Sequence, residues 1–342
     1  MRFADFASAL RWFVVAVLLA SAAQPARSQE HPCTTRQVAV SFRDEHNLPL
    51  QGISTADLEA KVHGKPIKIV SVIADSRPHR LVLVLDTSGS MGSIEGEPPL
   101  WALGMSLARH FFEVNRDKAQ LAFLLFNNSV TDQVDFAQGN SAVGEKLRQL
   151  EENHNFLKTH IKGRTALRDA IFHAILMLDH PTSADAVYVL TDGGDNASHN
   201  SAEELERRLA VTSVRIFAVL LYKDLPYRNR TPEEEMGPQD LAAIAHKSGG
   251  DILTAAEWRG NRVALSANPD AKVKSEEMLN RLYQTILKDT ILEIELPSAI
   301  SSNAHWELTL SSDARRRWKG TRIIYPDTLV GCNAEVFGGN RN

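Results

Sequence analysis

Between residues 80 and 290 the chain alternates short apolar runs with stretches of helical period, and this alternation constrains the fold more than any other feature. Residues 81–85, Leu-Val-Leu-Val-Leu, are apolar without a break, as a strand buried on both faces requires. Residues 120–126, 186–190 and 214–221 read as further strands, residues 130–136 as a hairpin partner of the second, and a short strand is expected near Ile252. Between the runs, apolar residues recur every three or four positions. Residues 100–114 form one such stretch, and Leu167, Ala170, Ile171, Ala174, Ile175 and Leu178 mark one face of another helix. Ser201 followed by Glu204 is a capping-box signature for a helix ending near Ala210. Residues 239–247 and 275–288 complete the helices, and residues 222–238, polar and rich in Pro and Glu, read as a surface insertion. Strands separated by helices predict an α/β fold with a doubly wound, mostly parallel sheet.

The flanks follow a different period. Residues 29–79 read as a β-rich lead-in, with strand-like segments at 37–42, 61–62 and 67–72 around the turn His63-Gly64-Lys65-Pro66. From 291 to 342 strict alternation takes over: Leu292, Ile294 and Leu296 alternate with Glu293 and Glu295, and Trp306, Leu308 and Leu310 with Glu307 and Thr309. These are expected to be half-buried antiparallel strands. The basic run Arg315-Arg316-Arg317-Trp318-Lys319 is read as the solvated tip of a hairpin rather than a binding patch.

Residues 1–28 have the composition of a secretory signal peptide: Arg2 and Arg11 precede an apolar run at 12–20, followed by small residues and Pro25. Cleavage after Ala23 or after Ser28 fits equally well. The run is well short of the roughly 20 apolar residues that cross a bilayer, and no second such run occurs, so no transmembrane segment is expected. The product is expected to be secreted or periplasmic. Removing residues 1–28, which contain Arg2, Arg11, Arg27 and Asp5, takes the formal charge from −4 to −6, a mildly acidic body with no electrostatic footprint for nucleic acid. Cys33 and Cys332 are the only cysteines, and in an oxidising compartment they are expected to pair. The residues before Cys33, Glu30-His31-Pro32, do not form a lipobox.

Three polar clusters fall where a doubly wound sheet places its ligand site, beyond the carboxyl ends of the strands. Asp86, Ser88 and Ser90 follow residues 81–85, with Gly89 and Gly92 permitting a tight loop. Thr165 follows Gly163 at the start of a helix, and Asp192 follows residues 186–190 and precedes Gly193 and Gly194. All five side chains offer oxygen, which suits a hard cation such as Mg2+ that keeps some of its water; Mn2+ fits the same set and Ca2+ less well. Taken singly, Thr165 reads as an N-cap, and Ser88 and Ser90 as partners of loop amides. Taken together, five oxygen side chains at three strand-following positions favour a cation site. Asp195 reads as a turn residue.

The segments D-T-S-G-S at 86–90, G-R-T-A-L around Thr165 and L-T-D-G around Asp192 resemble the metal-ion-dependent adhesion site of von Willebrand factor A domains and integrin inserted domains. The resemblance covers residues 80–290. It implies a Rossmann-like fold and metal-bridged protein binding, with Asp86, Ser88 and Ser90 as first-loop ligands, Thr165 as the second and Asp192 as the third. The lead-in, through residues 49–53, Asp57-Leu58 and Gly64-Lys65-Pro66, resembles that of bacterial secreted relatives of this family, which also carry a β-rich tail. One departure is Arg164, where many relatives have Gly; an outward-pointing Arg164 is expected to help recognise an acidic partner.

The expected function is therefore non-enzymatic: capture of a protein partner through an acidic side chain that completes the coordination of the cation. One alternative is a structural or interaction protein whose metal only stiffens the loops. A metal-assisted hydrolase is weaker still, because the loop is not G-x-S-x-G and no H-E-x-x-H occurs among the 12 histidines.

Overall fold

The computed structural model describes residues 35–75, 77–92, 99–221, 232–254, 269–296 and 304–331. The lead-in carries four strands, β1 (Thr35–Arg43), β2 (Leu58–Val62), β3 (Lys65–Ile67) and β4 (Ile69–Ala74). The alternating region begins with β5 (His79–Asp86), α1 (Leu100–Asn115), β6 (Ala119–Phe126) and β7 (Val130–Val134). It continues with α2 (Gly139–Glu152), α3 (Phe156–Thr159), α4 (Leu167–Met177), β8 (Ala186–Thr191), α5 (Ala202–Thr212) and β9 (Arg215–Leu220). It closes with α6 (Pro232–Lys247), β10 (Ile252–Thr254) and α7 (Pro269–Leu287). The tail adds β11 (Thr290–Glu295), β12 (Ala304–Leu310), α8 (Ser312–Arg317), β13 (Arg322–Ile324) and β14 (Thr328–Leu329).

The alternating region folds as the expected α/β unit around a six-stranded sheet of order β10-β9-β8-β5-β6-β7. Every neighbouring pair is parallel except the β6–β7 hairpin. The unbroken apolar run of β5 explains its central place. Leu81, Leu83 and Leu85 pack into one core beneath α1, α2 and α7, while Val82 and Val84 pack into a second core beneath α4, α5 and α6. Each such side chain, fully buried, contributes about 1.5–3 kcal/mol of hydrophobic stabilisation. The first core is reinforced by Phe111 of α1 stacked on Tyr188 of β8, with ring centroids 4.3 Å apart. Because β6 lies on one side of β5 and β8 on the other, the strand order reverses at β5. The crevice past its carboxyl end is the ligand-binding position of such sheets.

The two β-rich flanks pair with each other. One antiparallel sheet has the order β13-β1-β11-β4 and a second the order β14-β12-β2-β3, so each sheet combines strands from the lead-in and the tail. Val38, Val40, Phe42, Leu292, Ile294, Trp306 and Leu308 share the core between them. Trp306 is buried and satisfies its indole N–H on the Pro326 carbonyl at 2.6 Å, which allows so large a polar-edged side chain inside. The half-buried alternation expected of residues 306–310 is seen in β12, whose even-numbered residues are buried and odd-numbered ones exposed.

Two local expectations are corrected. The basic run at 315–319 is not a hairpin tip: Arg315, Arg316 and Arg317 end helix α8, and the strands on either side, β12 and β13, belong to different sheets. Ser311 starts that helix by accepting from the Ala314 amide, and the three arginines lie at its carboxyl end, where cations are favoured. Residues 232–238, read as part of a surface insertion, are the first turns of α6. They are packed tightly enough that a Cβ on Gly237 would lie 2.2 Å from the Gly193 carbonyl oxygen. Among the described residues no helix is long and apolar enough to cross a membrane. The signal-peptide segment 1–28 and both Cys33 and Cys332 lie outside the described residues.

Candidate metal-binding face of the sheet

Asp86 ends β5 and is fully buried. Its Oδ1 accepts the Ser88 amide at 2.7 Å and its Oδ2 accepts the Thr191 hydroxyl at 2.6 Å, so the carboxylate ties its own loop to the end of β8. Thr87 turns the other way. Its amide and hydroxyl both donate to the Phe126 carbonyl, at 2.7 and 2.8 Å, pinning the loop to the end of β6. A 3-10 turn at Gly89–Met91 follows, anchored by buried Met91. Ser88 occupies the N-cap of that turn without making a side-chain capping bond; its hydroxyl lies 3.0 Å from that of Ser90. The Ser88 hydroxyl is therefore directed to Ser90 and the Asp86 carboxylate rather than to the turn's amides.

Thr165 is held by main-chain contacts on both sides. Its amide donates to Asn196 Oδ1 at 2.9 Å, and its carbonyl accepts from the Asn196 and Ala197 amides at 2.9 and 3.0 Å. Upstream, the Gly163 carbonyl accepts the Gly89 amide at 3.1 Å, and the Lys162 amide donates to the Thr87 carbonyl at 3.1 Å. This joins the segment before Thr165 to the Asp86–Ser90 loop. The N-cap of α4 is Ala166, with no side-chain capping bond, so Thr165 does not serve as the cap that its residue type suggests. Arg164 is exposed, and its amide donates to Asn128 Oδ1 at 2.6 Å.

Asp192 follows β8 and is half-buried. The position is set by Thr191, whose carbonyl accepts the Leu221 amide at 2.7 Å and whose hydroxyl oxygen accepts the Gly193 amide at 3.1 Å. Burial, and then the charge of Asp192, push the Asp86 carboxyl up to about 7. A cation between two such carboxylates would relieve that cost. Among the described residues no three His, Cys, Asp or Glu side chains form a metal-ligating cluster. This set differs in kind, with two carboxylates and three hydroxyls, a donor set that fits a hard, water-retaining cation of the Mg2+ class.

Several residues that hold the site carry no sequence signal of their own. Asn128 and Asn196 supply side-chain oxygens to the Arg164 and Thr165 amides across 36 and 31 residues of sequence. Asp195 is the turn residue its sequence suggests, accepting from the amide and hydroxyl of Ser198, and it also accepts the Arg168 amide in the first turn of α4 at 2.8 Å. Asp169 accepts four hydrogen bonds from His199 and Asn200. Of these supporting residues the sequence had marked Asp195, as a turn residue, and Thr191 lies two residues from Gly193 in the marked T-D-G stretch.

Residues 81–194 match the family model described as von Willebrand factor type A domain. The chain carries a von Willebrand factor type A domain. All five oxygen donors of the candidate site lie inside the matched segment of that domain. No curated protein matches the chain. Among solved structures, it is similar in fold to the conserved hypothetical protein BatB from Bacteroides thetaiotaomicron, with 17% identity and a TM-score of 0.40 over 60% of this chain and 98% of that one. It is also similar to the PilB minor pilin from Streptococcus sanguinis, at 13% identity and a TM-score of 0.40, where the match takes in 61% of this chain and 62% of the pilin. A von Willebrand factor type A protein from Catenulispora acidiphila is similar over 90% of this chain and 76% of its own length, with 13% identity and a TM-score of 0.36.

Proposed function

We propose that this type A domain is an exported, non-enzymatic protein-binding module that captures an acidic group of its partner through a Mg2+-class cation. The observation that supports the reading is that main-chain bonds join the Asp86–Ser90 loop to the segment before Thr165, and the Asp86 carboxylate bonds Thr191 next to Asp192, with the Ser88 and Thr165 side chains not engaged in the capping roles their residue types usually fill. In this reading Ser88, Ser90 and Thr165 hold the cation directly. Asp86 and Asp192 stand behind them and act largely through water. Neutral hydroxyl donors leave the electrophilic character of a bound cation intact, which is what an incoming carboxylate needs. Arg164, exposed beside Thr165, adds a positive charge for the same acidic partner.

The alternative, a cation that only stiffens the loops, finds less support. The Asp86–Ser90 loop is bonded directly to Phe126 and Gly163, the Thr165 segment to Asn128 and Asn196, and residues 195–200 to α4. These direct bonds already fix the course of the loops.

Calorimetric titration with Mg2+, followed by partner capture from the native host in Mg2+ and in EDTA, tests the reading. Asp86→Ala and, as a milder change, Ser88→Ala are expected to weaken Mg2+ binding at least about tenfold and to abolish Mg2+-dependent capture while circular dichroism stays unchanged. Equal capture by wild type and both variants would sink the metal-bridged mechanism.

A further inference from the structure

Beside the metal-binding face lies a cavity of about 330 Å3 between the β6–β7 hairpin and the segment that runs from α3 to Gly163. Thr87, whose neighbours Asp86 and Ser88 belong to the candidate cation site, forms part of its wall. The two sites therefore share one residue of chain as a partition. Leu125 and Phe156 supply apolar surface, Lys162 and Asp132 supply charge, and Thr131 and Thr159 line the wall with hydroxyls bonded to the Leu125 and Asn155 carbonyls. The wall is rigid where it matters: Phe156 is stacked between Trp101, at 4.7 Å, and His160, at 4.5 Å. The two charges are not equivalent. Asp132 is neutralised by Lys146, whose Nζ lies 2.8 Å from Oδ2, whereas among the described residues Lys162 has no ion-pair partner. The cavity thus presents a net positive charge over an apolar floor.

We propose that this cavity is a second recognition pocket, taking a glutamate-type side chain of the same protein partner whose first acidic group reaches the cation. Its methylenes lie against Leu125 and Phe156, and its carboxylate pairs with Lys162; the hydroxyl protons of Thr131 and Thr159 are already donated to the Leu125 and Asn155 carbonyls, so the charge of Lys162 carries the recognition. This rests on the metal-bridged reading for the first contact only; the pocket has its own counter-charge. Two acidic groups, a short distance apart, then define the partner's motif. Because Thr87 borders both sites, the spacing is short, zero to three residues, and a fully extended linker of that size spans at most roughly 14 Å.

The test uses the full chain and acetylated, amidated peptides of the form Asp-(Gly)n-Glu with n from 0 to 3, each compared with its Asp-(Gly)n-Gln counterpart. In Mg2+ the Glu peptide of the best spacing is expected to bind roughly five-fold more tightly than the Gln peptide, the scale of one partly exposed ion pair. That ratio should fall to about one in Lys162→Gln and persist in Lys162→Arg; a folding defect would weaken both peptides together and leave the ratio unchanged. In EDTA the Glu peptide, but not the Gln peptide, should still shift the amide resonances of Thr131, Thr159 and Lys162. A ratio of one at every spacing, a ratio that survives Lys162→Gln, or no resonance shift in EDTA overturns the pocket. If the Glu preference and its Lys162 dependence hold equally in Mg2+ and EDTA while the Asp adds nothing, the pocket stands and the metal-bridged reading falls.

Discussion

Gly163 sits at φ +86°, a backbone region open to glycine and strained for other residues, and a Cβ there would lie 2.3 Å from Asn128 Oδ1. Asn128 is the side chain that holds the Arg164 amide, and the Gly163 carbonyl is the acceptor for Gly89, so one missing side chain lets three loops close on each other. Gly163→Ala is therefore expected to cost about 1–3 kcal/mol of stability through backbone strain and a displaced Asn128. It should also weaken Mg2+ binding, because Thr165 moves with its neighbour. Thermal melting and calorimetry on the same preparation check both; a variant as stable as wild type would show that Asn128 swings away without cost. The sequence marked Gly163 only as the residue before Arg164-Thr165. Asn128, 35 positions earlier, had no reason to be singled out.

The elements place the site through their ends. Parallel β5 and β8 bring Asp86 and Asp192 to one edge of the sheet, and the segment after β8 is bonded to the first turn of α4 through Asp195 and Asp169. Burial alone would raise the Asp169 carboxyl, but hydrogen bonds from the backbone and side chains of His199 and Asn200 outweigh it and hold the group below its ordinary range. A carboxylate with a depressed folded-state pKa stabilises the fold above its unfolded pKa of about 4, and that stabilisation is lost as the pH falls through the lower folded value. Asp169→Asn is thus expected to be less stable than wild type near neutral pH, with the gap narrowing as the pH drops below about 4. Urea midpoints measured from pH 7 to pH 2.5 report it, and a pH-independent gap would mean that the bonds act by shape rather than charge. Most strands and helices of this region were legible in advance because their periods differ; α2, with only Val143, Leu147 and Leu150 buried, and the single turn of α3 were not read. Nor was the pairing of the loop with α4, since polar loop residues bond to whatever the fold brings near.

At the scale of the molecule, the α/β sheet and the β-sandwich meet over buried charge. Asp289, between α7 and β11, is ion-paired with Arg215 at the start of β9, accepts the Ser41 hydroxyl at 2.6 Å, and faces Arg43 at the end of β1. Arg43 and Arg215 are both buried, and among the described residues the guanidinium nitrogens of Arg43 find no hydrogen-bond partner. Burial and the opposing pull of Asp289 and Asp251 leave Arg43 lowered to about 10, still charged at neutral pH. Asp289→Asn leaves two buried cations without their main counter-charge, an expected loss of about 3–5 kcal/mol. The same junction links both halves, so tryptophan fluorescence and far-UV circular dichroism should report one shared, destabilised urea transition. Two separated transitions would show that the halves unfold independently.

What the residues alone determined is whatever depends on local period and local chemistry. An unbroken apolar run has to be buried on both faces, a three-to-four spacing has to face one core, and oxygen side chains immediately after strands have to gather at the strand ends. From these came the α/β class, most of its elements, though not α2 and α3, and the candidate donors Asp86, Ser88, Ser90 and Asp192; Thr165 was marked by its place at the start of a helix, and it follows α3 rather than a strand. Tertiary structure alone decided which distant segments meet: that β1 pairs with β11 and β2 with β12 across more than 200 residues, that residues 315–317 finish a helix rather than a hairpin, and that Thr191, Asn128 and Asn196 hold the donors in place. The reason is physical. A backbone amide donates to, and a lone carboxylate oxygen accepts from, any well-placed partner, so the choice is fixed by packing, whereas hydrophobic period is written into the chain itself.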